Sequence, residues 1–267
     1  MIEMSGFKTL DASSRPPIPI SKMARSTFIL AKNKIASRTG NCACRRRFTV
    51  RQTPIHANGI EKKIIVNRHG IDLTRFKRQE ESSHNHKPFT ILSVGSLLEC
   101  KGFSFLIEAC AVLKDRGLGF RCIIAGGGKL EKNLRAQIQT LELNDTVELT
   151  SYITQDKLIP LYQQADVFVL AMVPEIHWGI PNVLIEAMAA GAAVVCTMLP
   201  SIPELIEDGK TGFIIPEKNP GAIASAVEKL YSDVTLRRNI VRDALKVVEE
   251  KFDTVKNARQ LKELLSK

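Results

Sequence analysis

Aromatic residues are scarce. They make up 6% of 267 residues, with one Trp and three Tyr. A single-strand nucleic-acid binder stacks bases on aromatics set among basic residues, and this chain cannot build such a face. Long hydrophobic runs are missing too. No stretch of about 18 apolar residues occurs, which argues against a membrane-spanning helix. Met1 to Leu10 carries no apolar signal core, so secretion is not expected. Cysteines are six, at 42, 44, 100, 110, 122 and 196. Cys42 and Cys44 form a lone Cys-x-Cys without a second pair or a nearby His, a poor zinc site. Cys110, Cys122 and Cys196 lie in apolar runs and are expected to be buried free thiols of a reducing cytoplasm. No segment of 20–50 residues recurs, which excludes a repeat array.

Acidic residues are scarce where the charge is most visible. The formal net charge is +10. Residues 1–90 hold 18 Lys and Arg against 6 Asp and Glu, a net of +12. The remaining 177 residues are close to neutral. The basic excess therefore belongs to the first third of the chain. Residues 1–62 read as an irregular basic segment, broken by Ser14-Arg15-Pro16-Pro17-Ile18-Pro19. A short helix fits Ser26 to Ser37. Residues 63–88 read as a short strand (Lys63 to Asn67), a turn at His69-Gly70-Ile71-Asp72-Leu73 and a polar linker.

What is present from Phe89 onward is regular alternation. Strands are predicted at Thr90–Val94, Phe120–Ala125, Val147–Leu149, Val167–Ala171, Ala193–Thr197 and Gly212–Ile215. Helices are predicted at Phe103–Lys114, Leu130–Leu141, Lys157–Gln164 with Pro160 near its start, Asn182–Ala190 and Ile202–Ile206. Three more follow at Pro220–Ser232, Leu236–Glu250 and Thr254–Leu265. Short apolar strands between helices of 8–15 residues predict an α/β fold, a parallel sheet covered on both faces. Such sheets bind ligands at the carboxyl ends of their strands.

Three of those strand exits carry candidate chemistry. Gly95-Ser96-Leu97-Leu98-Glu99-Cys100-Lys101-Gly102 brackets a Lys with two glycines. Glycine admits a ligand close to the backbone, and Lys is a point charge for phosphate. Gly126-Gly127-Gly128 follows the second strand. Gly179-Ile180-Pro181-Asn182 leads into a helix whose first amides are unpaired and suited to an anion. Glu186 lies in that helix within an apolar stretch, where a carboxylate needs a partner. A vicinal diol such as ribose would satisfy it.

Six pieces of the chain together resemble the donor-binding domain of retaining GT-B glycosyltransferases, the glycosyl transferases group 1 family. They are His69 to Phe76, Gly95 to Gly102, Ala125 to Gly128, Leu161 to Leu170, Gly179 to Gly191 and Ile202 to Gly209. The resemblance covers about 200 residues, from roughly Lys63 to Leu265, and assigns residues 89–267 to a Rossmann-like nucleotide-sugar-binding domain of about six strands. It implies transfer of a sugar from a nucleotide diphosphate sugar to an acceptor hydroxyl with retention, in polysaccharide or glycolipid synthesis. It implies no metal and no cofactor.

By position, Lys101 would hold the pyrophosphate and Glu186 would grip the ribose. These two are the catalytic candidates. Gly95, Ser96, Gly126, Gly128, Gly179, Pro181, Asn182 and Val183 would surround the donor, and Ile153 would meet its base. Departures are equally plain. Trp178 stands where the family has a first glutamate, with Glu175 three residues before it, and Ser96 where it has an Arg. Cys100 replaces a common basic residue, and Pro200-Ser201 replace two glycines. The family's acceptor-binding N-terminal domain is expected to be represented here only by a remnant in residues 1–62, so that function would fall to a partner subunit or to the missing N-terminal domain of a longer chain. The final helix would then have an uncovered apolar face. The resemblance places the protein in the cytoplasm, with peripheral contact to the membrane's inner face open to it. Two other readings stand beside this one: a catalytically silent nucleotide-sugar-binding relic, and a basic nucleic-acid or membrane-surface protein.

Overall fold

The computed structural model describes residues 67–77, 88–173 and 179–266. The predicted helix at Ser26–Ser37 and the basic segment 1–62 lie outside the described residues, as do Lys63 to Val66, Glu175 and Trp178.

A short helix, α1 (Leu73–Phe76), opens the described chain, capped by Asp72, whose side chain accepts from the Thr74 N–H. Then β1 (Phe89–Val94), α2 (Phe103–Asp115), β2 (Phe120–Ala125), α3 (Glu131–Thr140), β3 (Val147–Thr150) and α4 (Gln155–Gln164) alternate. They are followed by β4 (Val167–Leu170), α5 (Asn182–Ala189), β5 (Ala193–Thr197), β6 (Phe213–Ile215), α6 (Pro220–Ser232), α7 (Val234–Lys251) and α8 (Thr254–Leu265). All six strands form one sheet in the order β3-β2-β1-β4-β5-β6. Every pairing is parallel. The chain winds outward from β1 to β3 and then restarts at β4 beside β1. The exits of β1 and β4 therefore diverge and leave a crevice between them.

The strands are mostly apolar because both faces are covered, with Thr90, Ser93, Arg121, Glu148, Thr150 and Thr197 the polar exceptions. Ile91, Cys122, Ile124, Val167, Val169 and Val195 pack beneath α2, α3 and α6. Leu92, Val94, Ile123, Phe168, Leu170 and Val194 pack on the other side with Tyr162 of α4, α5 and α7. Cys110, Cys122 and Cys196 are buried free thiols, as expected. Asp166 ties the strand starts together. Its carboxylate accepts from the Thr90 N–H at 3.0 Å, and its carbonyl accepts from Ala193 at 3.0 Å.

Helix ends follow local chemistry. Asn219 caps α6 ahead of Pro220 through the Ala222 N–H, and Asp253 caps α8 through Val255 and Lys256. Gly191, at φ +80°, closes α5. Three expectations shift. Pro160 lies well inside α4, which begins at Gln155 rather than Lys157. The segment at Ile202 makes a 3-10 turn, Ile202–Glu204, instead of an α-helix. Finally, α7 starts at Val234 because Asp233 caps it through the Leu236 N–H.

Among the described residues, no helix is long and apolar enough to cross a membrane. The last helix is almost wholly exposed. It buries Asn257 and shows Val255, Leu261 and Leu265 to solvent.

Candidate functional site

The loops at the carboxyl edge are locked to one another by main chain. Leu97 donates its N–H to the Gly127 carbonyl at 3.0 Å, and Leu130 donates back to the Leu97 carbonyl at 3.1 Å. Val173, just past β4, donates to the Cys100 carbonyl at 2.9 Å. The glycines make these approaches feasible. A Cβ on Gly126 would lie 1.9 Å from the Gly95 oxygen, and one on Gly128 would lie 2.7 Å from Leu97 backbone. A Cβ on Gly102 would lie 1.9 Å from the Ala171 oxygen. The clearance that sequence reasoning reserved for a ligand is thus used, at these positions, by neighbouring loops. Gly179 is different: among the described residues, nothing lies within 4 Å of a Cβ there.

Lys101 ends a 3-10 turn, Glu99–Lys101, on this ledge. Its aliphatic stem runs over Gly95, with Cδ and Cε 3.7 and 3.8 Å from a Cβ built there. These are ordinary contact distances, so the lysine's path does not depend on a glycine there. Ser96 is exposed beside it. A cavity of about 380 Å³ adjoins the turn, lined by Cys100, Phe103, Leu130, Val173 and Lys218. A larger one, about 560 Å³, runs along β3 between Arg121, Arg135 and Thr146, and no candidate residue lines it.

The N-terminus of α5 faces the same edge. Pro181 precedes it in extended conformation, and no side chain caps it. The amides of Asn182 and Val183 stand in the first turn, where they have no intrahelical partner. Asn182 is held from outside: its Oδ1 and His69 Nε2 are 2.6 Å apart. His69 belongs to the segment before α1. That segment is pinned by the Asn257 side chain, which donates to the Arg68 carbonyl at 2.9 Å, and by the Arg68–Glu204 ion pair at 3.0 Å.

Glu186, one turn further along α5, is half-buried. Its Oε2 accepts the Tyr162 hydroxyl at 2.8 Å. Burial pushes the Glu186 carboxyl above its usual range, and the Tyr162 hydrogen bond partly offsets this. The fold therefore binds this proton more tightly than the unfolded chain does. Stability is fully present below the ordinary glutamate value of 4.5 and falls as pH rises through the elevated folded value. Glu186→Gln is expected to remove that fall. Melting temperatures across pH 4–8 check this, and parallel curves for the two proteins would refute it.

Sequence reasoning brought Lys101, Gly95, Ser96, Gly126 and Gly128 to one ledge, and Gly179, Pro181, Asn182, Val183 and Glu186 to one helix entrance. The described residues place both on the carboxyl edge. Ile153, in the loop after β3, turns its side chain partly inward against the cluster around Leu158. Its neighbour Tyr152 is 80% exposed and lies against Gly127. The sequence pattern gives Tyr162 and His69 no role of their own. Their contacts span 24 and 113 residues, which no local spacing reveals. Among the described residues, no group of three or more metal-ligating side chains comes together.

The sheet order, the crevice between β1 and β4 and the helix entrance opposite a lysine-bearing loop define a Rossmann-like domain of the GT-B C-terminal type. Residues 74–247 match the model of the glycosyl transferases group 1 family, and the chain belongs to that family. AmsK of Erwinia amylovora, an amylovoran biosynthesis glycosyltransferase, is 35% identical over 209 residues, covering 77% of this chain and 51% of that one. WcaL of Escherichia coli, provisionally named a colanic acid biosynthesis glycosyltransferase, is 36% identical over 208 residues, 76% of this chain and 51% of that one. The chain spans about half the length of these curated relatives. Among solved structures, the C-terminal domain of the glycosyl transferase group 1 protein LpcC from Francisella tularensis aligns with TM-score 0.61 at 24% identity. The match covers 69% of this chain and 99% of that one. HepE of Anabaena in complex with UDP-glucose aligns with TM-score 0.64 at 23% identity, over 74% of this chain and 56% of that one.

Proposed function

We propose that this chain is the donor-binding half of a sugar transferase of polysaccharide assembly. It takes a nucleoside diphosphate sugar, with the pyrophosphate between Lys101 and the first amides of α5. Glu186 receives the ribose hydroxyls, and the loop at Tyr152-Ile153 borders the base. The sugar passes with retention to an acceptor hydroxyl presented by a second domain or subunit. The observation that carries this reading is the half-buried Glu186 carboxylate, one turn behind an uncapped helix N-terminus. An anion gains there from unpaired amides and the helix dipole, and developing charge on the leaving phosphate would be stabilised by the same groups. The names of AmsK and WcaL support the pathway class, and HepE's UDP-glucose complex supports the donor class.

Calorimetric titration of the full chain with UDP, GDP and ADP tests the reading. Saturable binding of at least one is expected, weakened about tenfold in Lys101→Ala by loss of a charge-assisted phosphate contact. Absence of binding by all three, or an unaltered affinity in the variant, would count against it.

A further inference from the structure

Glu186 has a companion that neither its own helix nor any glycine loop supplies. Tyr162 reaches it from α4, and its side chain is the largest fully buried one among the described residues. The ring is wedged on two sides. Phe76 of α1 meets it edge-on at 6.1 Å, and Phe168 of β4 packs against it at 5.7 Å. Phenylalanine would fill this place equally well and bring no polar atom to satisfy. Packing therefore does not account for the hydroxyl, whereas the carboxylate 2.8 Å away does.

We propose that Tyr162 is a positioning residue for nucleotide binding: its hydroxyl holds the Glu186 carboxylate ionised and in one orientation, so that Oε1 is left for the ribose hydroxyls of the donor. This rests on the donor-binding reading above. An ionised carboxylate offers about four lone-pair sites, and Tyr162 occupies one. A vicinal diol needs two. The tyrosine therefore fixes the acceptor without using it up.

The electrostatics agree with this role. Two influences act on the Glu186 carboxyl in opposite directions, burial upward and the Tyr162 hydrogen bond downward, with burial the larger. Tyr162 itself is pushed far above the usual phenol range, by burial first and then by the Glu186 charge and hydrogen bond. It therefore stays a donor at any physiological pH. Several charged groups on the elements packed around α5 have partners of their own. Arg75 of α1 is paired with Asp156, and His69 is bonded to Asn182. On α7, Asp243 is held by Arg242 and Lys246, and Lys251 donates to the Glu204 carbonyl. Cys196 of β5 is a buried thiol pushed up to about 12. None of these perturbs the Glu186 carboxyl.

Removing the hydroxyl removes the downward influence alone. Glu186 then holds its proton to higher pH, and a protonated acid is a poorer acceptor for a diol. The loss of nucleotide affinity must be greatest on the acid side and shrink as pH rises. A purely structural role for Tyr162 would give a loss independent of pH.

The test compares the full-length wild-type chain with Tyr162→Phe and Glu186→Gln. UDP and 2′-deoxy-UDP, with GDP and ADP alongside, are titrated between pH 5.5 and 8.5. Tyr162→Phe is expected to bind UDP about tenfold more weakly at pH 6 and within about threefold of wild type at pH 8.5. Its preference for UDP over the deoxy compound should shrink. Glu186→Gln should bind weakly with a flat profile. Independently, the Glu186 side-chain ¹³C resonance is followed against pH, assigned by its absence in Glu186→Gln. Its midpoint should move up in Tyr162→Phe. An unchanged pH profile and ribose preference, or a uniform loss for both nucleotides, overturns the proposal. If the wild type binds none of the nucleotides, the donor-binding reading fails, and the ¹³C titration still decides: an unmoved midpoint overturns the role of Tyr162.

Discussion

Gly102→Ala is expected to lower stability by more than about 4 kcal/mol and to abolish nucleotide binding. Two costs coincide. Gly102 sits at φ +67°, a conformation that costs an L-residue roughly 1–2 kcal/mol by itself. The added methyl would also lie 1.9 Å from the Ala171 oxygen and 2.8 Å from its carbonyl carbon. That oxygen belongs to the exit of β4, in the middle of the sheet, and cannot retreat without dragging a central strand. The turn cannot retreat either, because the Cys100 carbonyl is latched by the Val173 N–H. Gly117→Ala is the control. It has φ +77° and nothing within 4 Å, so only the conformational cost of about 1 kcal/mol should appear. Urea unfolding of both variants gives the comparison. Equal losses would show that the β1 and β4 exits are not interlocked.

Phe252→Ala should cost about 3–5 kcal/mol, the usual penalty for emptying a fully buried phenylalanine site. Phe252 is 0% exposed at the elbow between α7 and α8. Its N–H closes α7 on the Val248 carbonyl at 2.8 Å, and its own carbonyl accepts the Ile71 N–H at 2.9 Å. The ring meets His69 edge-on at 6.2 Å. The elbow therefore holds the segment that carries His69 to the entrance of α5. The variant should lose hydrogen-exchange protection at Ile71 and Thr254, whose amides bridge the two segments, more than at the β1–β2 core. A loss below about 1.5 kcal/mol, or unchanged protection at Ile71, would refute the anchoring role.

Strand positions were the most legible part of the fold. β2 and β5 begin and end at the predicted residues, because their runs are mostly apolar, as suits strands covered on both faces, even with Arg121 inside one and Thr197 ending the other. α6 and α8 were equally plain, with Asn219-Pro220 and Asp253 marking their starts. Pro160 misled. It was read as a first-turn residue, yet α4 accommodates it one turn later, with Leu158, Ile159 and Leu161 packed against the core on either side. At the candidate site, the glycine loops, Lys101 and Glu186 were visible because each is a local departure from its surroundings. Tyr162 and His69 were not, because their meaning lies in contacts made only after the sheet brings α4 and the leading segment to α5. Trp178, which stands where the family has its first glutamate, and Glu175 before it fall outside the described residues.

The carboxyl-edge ledge joins main chain to main chain, and side chains take little part in it. Ser96 and Tyr152 are exposed there, and the ledge's bonds are made by main chain and not by their side chains. Replacements at such positions leave the scaffold untouched and alter only what an incoming molecule meets. Under the proposed function, single substitutions at such exposed positions would change what the donor meets without entering the main-chain frame. The absence of an Arg at position 96 is then a change of lining, borne by a frame that tolerates it.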